Sequence, residues 1–229
     1  MATAVWMLYV ADRLLDVKRS DAGEFEERHY FHLRHRAGFL AGITVASFAL
    51  ALLLPTIPAE AMRLYLVLGG LVAGYFVVIH ATQSAHRLPK EMAVGVCFAA
   101  AVFIPTVARA PHLRIPLLAP AILLAAFCSL NCLFIYAWEH PEQRTQGLHP
   151  LTAVALRRLV TIDAGVALTS AALVFLNRGG VPWQLYGAVA ISSTGILWLH
   201  SRHRKYQAVT MRAAADLVLL TPFLLAMFA

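Results

Sequence analysis

IPLLAPAILLAAFCSLNCLFIYAW, the stretch Ile115–Trp138, carries no charged residue from end to end. A helix that crosses the roughly 30 Å hydrocarbon core of a bilayer needs about 20 such residues. A surface helix of a soluble domain keeps a polar face for water, and this stretch has none of useful width. Six further runs read the same way: Ala37–Ile57, Leu64–Ala85, Met92–Ala108, Leu159–Leu176, Val181–Leu199 and Ala213–Ala229. Composition agrees. The chain is 60% hydrophobic and 14% charged, against about 45–50% and about 25% in soluble domains. The expected fold class is all-α: a polytopic transmembrane helical bundle forming a single domain over residues 1–229, with about eight helices, the first one short.

That short first element is Met1–Ala11. At about 1.5 Å per residue it falls well short of a bilayer crossing. No basic region precedes it, and Asp12 follows with no small-residue cleavage site, so it does not read as a signal peptide. It reads as the end of a helix that begins upstream of Met1, and the expectation is that the genomic sequence there encodes one further apolar span in frame.

Charge sets the orientation. The net charge is +7. If the connections alternate between two sides, Arg63, Arg109, Arg114 and Arg178 fall on one side and the rest of the 19 Lys and Arg residues on the other. The positive-inside rule makes the richer side cytoplasmic and puts the C-terminus outside. A basic protein also invites a nucleic-acid reading, but no nucleic-acid motif is present and the charges follow topology instead. Cys97, Cys128 and Cys132 all lie inside apolar runs, in neither a disulfide nor a zinc pattern. Small apolar packing accounts for them.

Two connections on the cytoplasmic side are long and charged, about 12–36 and 139–158. Asp12 and Asp16 are four residues apart, so on a continuing helix both carboxylates share a face and repel. A magnesium ion bound to phosphates would justify the pair. A solvated helix end with Arg13 and Lys18 as counter-ions is the plainer alternative. In the second connection Glu139 and Glu142 stand at the end of a span, with Pro141 and Gly147 breaking the helix. The pattern of one helix, an acidic loop and three helices occurs twice, which suggests two similar halves.

On these residues the chain resembles the UbiA-type intramembrane prenyltransferases. The acidic loops follow the first and fifth helices present. Restoring one N-terminal helix places them after the second and sixth, where that family carries its Asp-rich motifs. Gly74-Tyr75, then Arg87-Leu-Pro-Lys90-Glu91, then Gly95-Val-Cys-Phe98 also resemble the family, as do Tyr136, Glu142, Arg144 and Gly147. The sequence departs at Ala11, where the family has Asn, in the spacing of Asp12, Asp16 and Asp21, in the acids of the second motif, and at Ile79-His80, where a Lys is expected.

The resemblance implies transfer of a prenyl group from a prenyl diphosphate to a lipid-soluble, aromatic or other acceptor among membrane lipids. It implies Mg2+ held by Asp12, Asp16, Glu139 and Glu142, which would also be the catalytic set. It implies a diphosphate clamp of Arg28, Arg87, Lys90 and Arg144, Arg favouring bidentate contact. Tyr75, Asn131, Tyr136 and Asp163 would line the substrate site. A non-catalytic relative that binds an isoprenoid or a partner is the alternative reading.

A third reading comes from His29, His32 and His35. Histidines near membrane helices can hold iron for a hydroxylase, although the later histidines form no second cluster of that type. The stripe Arg28, His32 and Arg36 also suits an interfacial helix on anionic headgroups. Two acids lie inside apolar runs, where such groups point to function. Asp216 is expected to pair with Arg212, four residues before it. Asp163 is expected either to line the cavity or to pair. Asn131 is expected either to face the cavity or to hydrogen-bond between helices.

Overall fold

The computed structural model describes residues 6, 7, 10, 34–82, 89–141, 148–176 and 183–221. Among the described residues there are eight α-helices and no strand. They are α1 (Arg36–Leu53), α2 (Ala59–Thr82), α3 (Lys90–Arg109), α4 (Leu118–Glu139), α5 (Pro150–Arg157), α6 (Leu159–Leu176), α7 (Trp183–Arg202) and α8 (Ala208–Val218). The apolar runs fall on seven of these, α6 with the same limits as its run. Arg36–Thr56, Lys90–Arg109, Leu118–Glu139 and Leu159–Leu176 are long and apolar enough to cross a membrane.

Prolines place several of the boundaries. Pro55 sits in the 3-10 turn Leu54–Thr56 that closes α1. Pro89 caps α3, and Pro150 occupies the first position of α5, where a missing N–H costs nothing. The helices extend past the apolar runs and take in Lys90, Arg202 and Arg212, because long basic side chains keep their charge at a helix end while the stem stays apolar. The last run differs most. Its helix starts at Ala208 rather than Ala213, and residues 222–229 lie outside the described set.

The second acidic connection also differs from a plain loop. Its later part is α5, with His149 as the cap accepting from the Leu151 N–H at 3.2 Å. A single break at Arg158 separates α5 from α6.

Packing divides the chain into two units, Met1–Met62 and Arg63–Ala229. In the first, Gly42 admits Trp6: a Cβ there would stand 2.8 Å from the indole ring. Most of α1 is unburied, including Val45 and Phe48, the latter 67% exposed. In the second, Phe175 is 79% exposed and Leu168 72%. Apolar faces this extensive are consistent with a membrane surrounding, which the four long helices are long and apolar enough to cross.

The second unit is built around α4, which packs against α3, α5, α6, α7 and α8. Its residues Phe127, Leu130, Leu133 and Phe134 meet Leu159 and Val166 of α6, Val189 and Ile196 of α7, and Met211 and Ala215 of α8. A smaller cluster around Leu117 and Tyr186 closes the opposite end. Against α3 the approach is closest at Gly95, where a Cβ would lie 2.5 Å from the Ala125 carbonyl and 2.7 Å from the Ser129 nitrogen. Such small-residue contact is how helices associate where lipid is the solvent.

Pro105 interrupts the ladder of α3. It has no N–H to give the Ala101 carbonyl four residues earlier. Tyr65 of α2 supplies the missing donor, its hydroxyl 3.2 Å from that oxygen.

Candidate functional site at the C-terminal end of α4

Polar groups from four helices converge where α4 ends. Arg212 of α8 bonds Glu139, the last residue of α4, with Nη1 to Oε1 at 3.2 Å. On the face of α4 toward α3, Glu91 stands in the first turn of α3 and is only 6% exposed. A helix N-terminus favours an acid there. Glu91 lies within electrostatic range of Tyr75, Cys132 and Tyr136. The Tyr75 hydroxyl is enclosed and makes no hydrogen bond. Tyr136 stacks on His140 with ring centres 4.6 Å apart. Lys90, beside Glu91, is exposed.

The adjoining face of α4 carries an aromatic group. Trp138 donates its indole N–H to His200 Nδ1 at 3.0 Å, Phe134 packs on His200 at 5.2 Å, and His203 stacks on His200 at 4.8 Å. These two histidines come together only through the turn that ends α7. Trp138 engages the Nδ1 lone pair of His200.

The residues expected at the site separate into groups. Tyr75, Tyr136 and Glu139 share this end of the bundle. Asn131 and Asp163 do not join them. They lie deeper, on the buried faces of α4 and α6, at 3% and 0% exposure. Asn131 Oδ1 and both Asp163 oxygens are without hydrogen-bond partners, so neither residue makes the expected pair or interhelical bond through these atoms. Arg212 meets Glu139 in an ion pair, and Asp216 lies within its electrostatic range. Asp12, Asp16, Arg28, His29, His32, Arg87, Glu142 and Arg144 lie outside the described residues.

Glu91, Arg212 and Ser193 carry weight that the sequence did not assign to them. Glu91 had one signal, an acid directly after Pro89-Lys90 at the mouth of a long apolar run. Arg212 was marked only as the expected partner of Asp216, and Ser193 had no signal that separates it from its neighbours.

Among the described residues no group of three or more His, Cys, Asp or Glu side chains could hold a metal ion. Cys97, Cys128 and Cys132 are free thiols. Of the four acids implied for Mg2+, Glu139 is the one whose side chain is described. Its donor chemistry suits the ion, and its Oε1 is engaged by Arg212, so a metal–diphosphate would share Glu139 with that guanidinium. Comparison with protein-family models, with curated proteins and with solved structures finds no match for this chain. Among the described residues the fold and site therefore define the class: helices throughout, four of them long and apolar enough to cross a membrane, with a polar mouth at one end of the second unit.

Proposed function

We propose that the chain is a UbiA-like intramembrane prenyltransferase, which takes a prenyl diphosphate at this polar end and transfers the prenyl group to a lipid-soluble acceptor. The observation that supports it is the convergence of Glu139, Arg212, Glu91, Tyr75 and Tyr136 at the mouth of a bundle whose interior is apolar. In this reading the seven apolar runs of the sequence span the bilayer and the mouth faces the cytoplasm. Asp12, Asp16 and Glu142 complete the acid set with Glu139, and Mg2+ would supply charge stabilisation to the leaving diphosphate. Arg28, Arg87, Lys90 and Arg144 would add cationic contacts, and Arg212 would hold Glu139 in place. The aromatic rings of Tyr75 and Tyr136 would shield an allylic centre from water.

A second reading, a non-catalytic relative that binds an isoprenoid, is favoured by one observation: Glu139 is held by Arg212. The experiment that separates them is binding of a prenyl diphosphate to the purified protein with and without Mg2+, for the wild type and for Asp12→Ala/Asp16→Ala. Mg2+-dependent binding that the double variant loses supports the transferase. Binding indifferent to both the metal and the substitution rejects it and leaves the lipid-binding relative.

A further inference from the structure

Asn131, Asp163 and Ser193 stand on three different helices, each buried in the second unit. The chains of α4 and α7 run in the same direction, since Leu117 and Tyr186 flank one end and Trp138 and His200 are bonded at the other. Moving about two turns toward the N-terminus from Trp138 and from His200 keeps both face and level. It arrives at Asn131 on α4 and Ser193 on α7. On α6 the buried stripe is Leu159, Asp163, Val166 and Ser170, and the Ser193 hydroxyl is the polar side chain facing the Asp163 carboxyl. Leu159, Val166, Phe134 and Ile196, each one turn along its helix from one of the three, belong to the buried apolar cluster.

Four oxygens here are orphaned: Asn131 Oδ1, Asp163 Oδ1 and Oδ2, and Ser193 Oγ. Asn131 is 3% exposed and the other two residues 0%. Leaving such groups unpaired in an apolar interior is costly, above all for a carboxylate. Ser193 lies within hydrogen-bonding influence of the Asp163 carboxyl, but no contact of full hydrogen-bond geometry joins them. Oxygens held slightly apart around one carboxylate suit a small hard cation better than they suit each other. Carboxylate, amide carbonyl and hydroxyl are the donors such ions take. One carboxylate balances one positive charge, and a divalent ion would leave an uncompensated charge in the core.

We infer that Asp163, Asn131 and Ser193 form a binding site for a single small monovalent cation, of the sodium class, that pins α6 to α4 and α7. The site is separate from the polar mouth and does not depend on the prenyl-transfer reading.

The probe is sodium itself. The full-length protein in detergent is melted in sodium chloride and in choline chloride at equal ionic strength. A bound ion stabilises the folded state in proportion to the logarithm of its concentration above Kd, so Tm is expected to rise by several degrees in sodium, saturably, and not in choline. Asp163→Asn should abolish the response. Ser193→Ala removes one small oxygen from a site that otherwise folds as before, and should move the sodium midpoint to at least about tenfold higher concentration, about 1.4 kcal/mol. A wild-type Tm that is the same in sodium and choline overturns the inference, as does a response that survives unchanged in both variants. A Tm that follows pH but not sodium also overturns it and makes the occupant a proton.

Discussion

Tyr65 donates its hydroxyl to the carbonyl of Ala101 across the α2–α3 interface, at 3.2 Å. The oxygen it reaches is the one that Pro105 leaves without a donor. A proline inside an apolar helix is tolerated when a neighbour re-satisfies the freed carbonyl. Tyr65→Phe keeps the ring and removes only the donor. It is expected to lower stability by about 1 kcal/mol, a fall in Tm of about 2–4 °C. The double variant Tyr65→Phe/Pro105→Ala should recover most of the loss, because an alanine in place of Pro105 brings its own N–H to the Ala101 carbonyl. Equal Tm values for the two proteins that carry Tyr65→Phe would remove this account of Pro105.

Gly95 is expected to tolerate no side chain. An added Cβ meets the Ala125 carbonyl at 2.5 Å and the Ser129 backbone at 2.7 Å, and a main chain cannot step aside as a flexible side chain does. Gly95→Ala should therefore cost about 1–3 kcal/mol despite the better helix propensity of alanine. Gly74 has open space where a Cβ would go, so Gly74→Ala is the control and should be neutral or stabilising. Thermal melts of the two variants check the contrast.

The Glu139–Arg212 pair is partly exposed, at 20% and 30%. Each single substitution, Glu139→Gln or Arg212→Gln, should cost about 1–2 kcal/mol. The double substitution should cost less than the sum, since each single change already removes the same Glu139–Arg212 contact. Strict additivity in a double-mutant cycle would show that the two side chains do not interact.

Trp138→Phe removes the indole N–H from His200 while keeping an aromatic ring. The expected loss is about 1 kcal/mol from the hydrogen bond, with Tm lower by about 2–4 °C. Because Trp138 bonds α4 to α7 about two turns from Asn131 and Ser193, the same variant should also weaken any sodium response. An unchanged sodium midpoint would separate the register contact from the deeper oxygen site.

Orientation in the bilayer is open to direct labelling. In a background where Cys97, Cys128 and Cys132 are replaced by alanine, Asn177→Cys should react with a membrane-impermeant thiol reagent added to intact cells. Ser201→Cys should react only after permeabilisation. The reverse pattern would invert the topology drawn from the distribution of basic residues.

Helix positions were legible in the sequence for a simple reason. A segment without charge over the thickness of a bilayer has few conformations that satisfy its backbone, and the helix is the local one. Ile115–Trp138 and Leu159–Leu176 needed no knowledge of their neighbours. The short helix α5 was hidden because its signal, His149 before Pro150, is brief and sits in a charged connection. Glu139 at the end of a span could be picked out from its position, whereas its partner could not. Asp216 lies one turn from Arg212 in sequence, yet Arg212 also reaches across to Glu139, 73 residues away.

The sequence by itself determined the class of the chain, the number of long apolar segments and the acids that interrupt them. Each of these follows from composition within a single helix. Only the tertiary structure decided which faces meet. Ser193 is set against Asp163, and Glu91 near Tyr75 and Tyr136, through the rotation and register of helices that are far apart in the chain. No local pattern encodes that choice, because it is fixed by how small residues such as Gly95 let the helices approach and by which oxygens are then left facing one another.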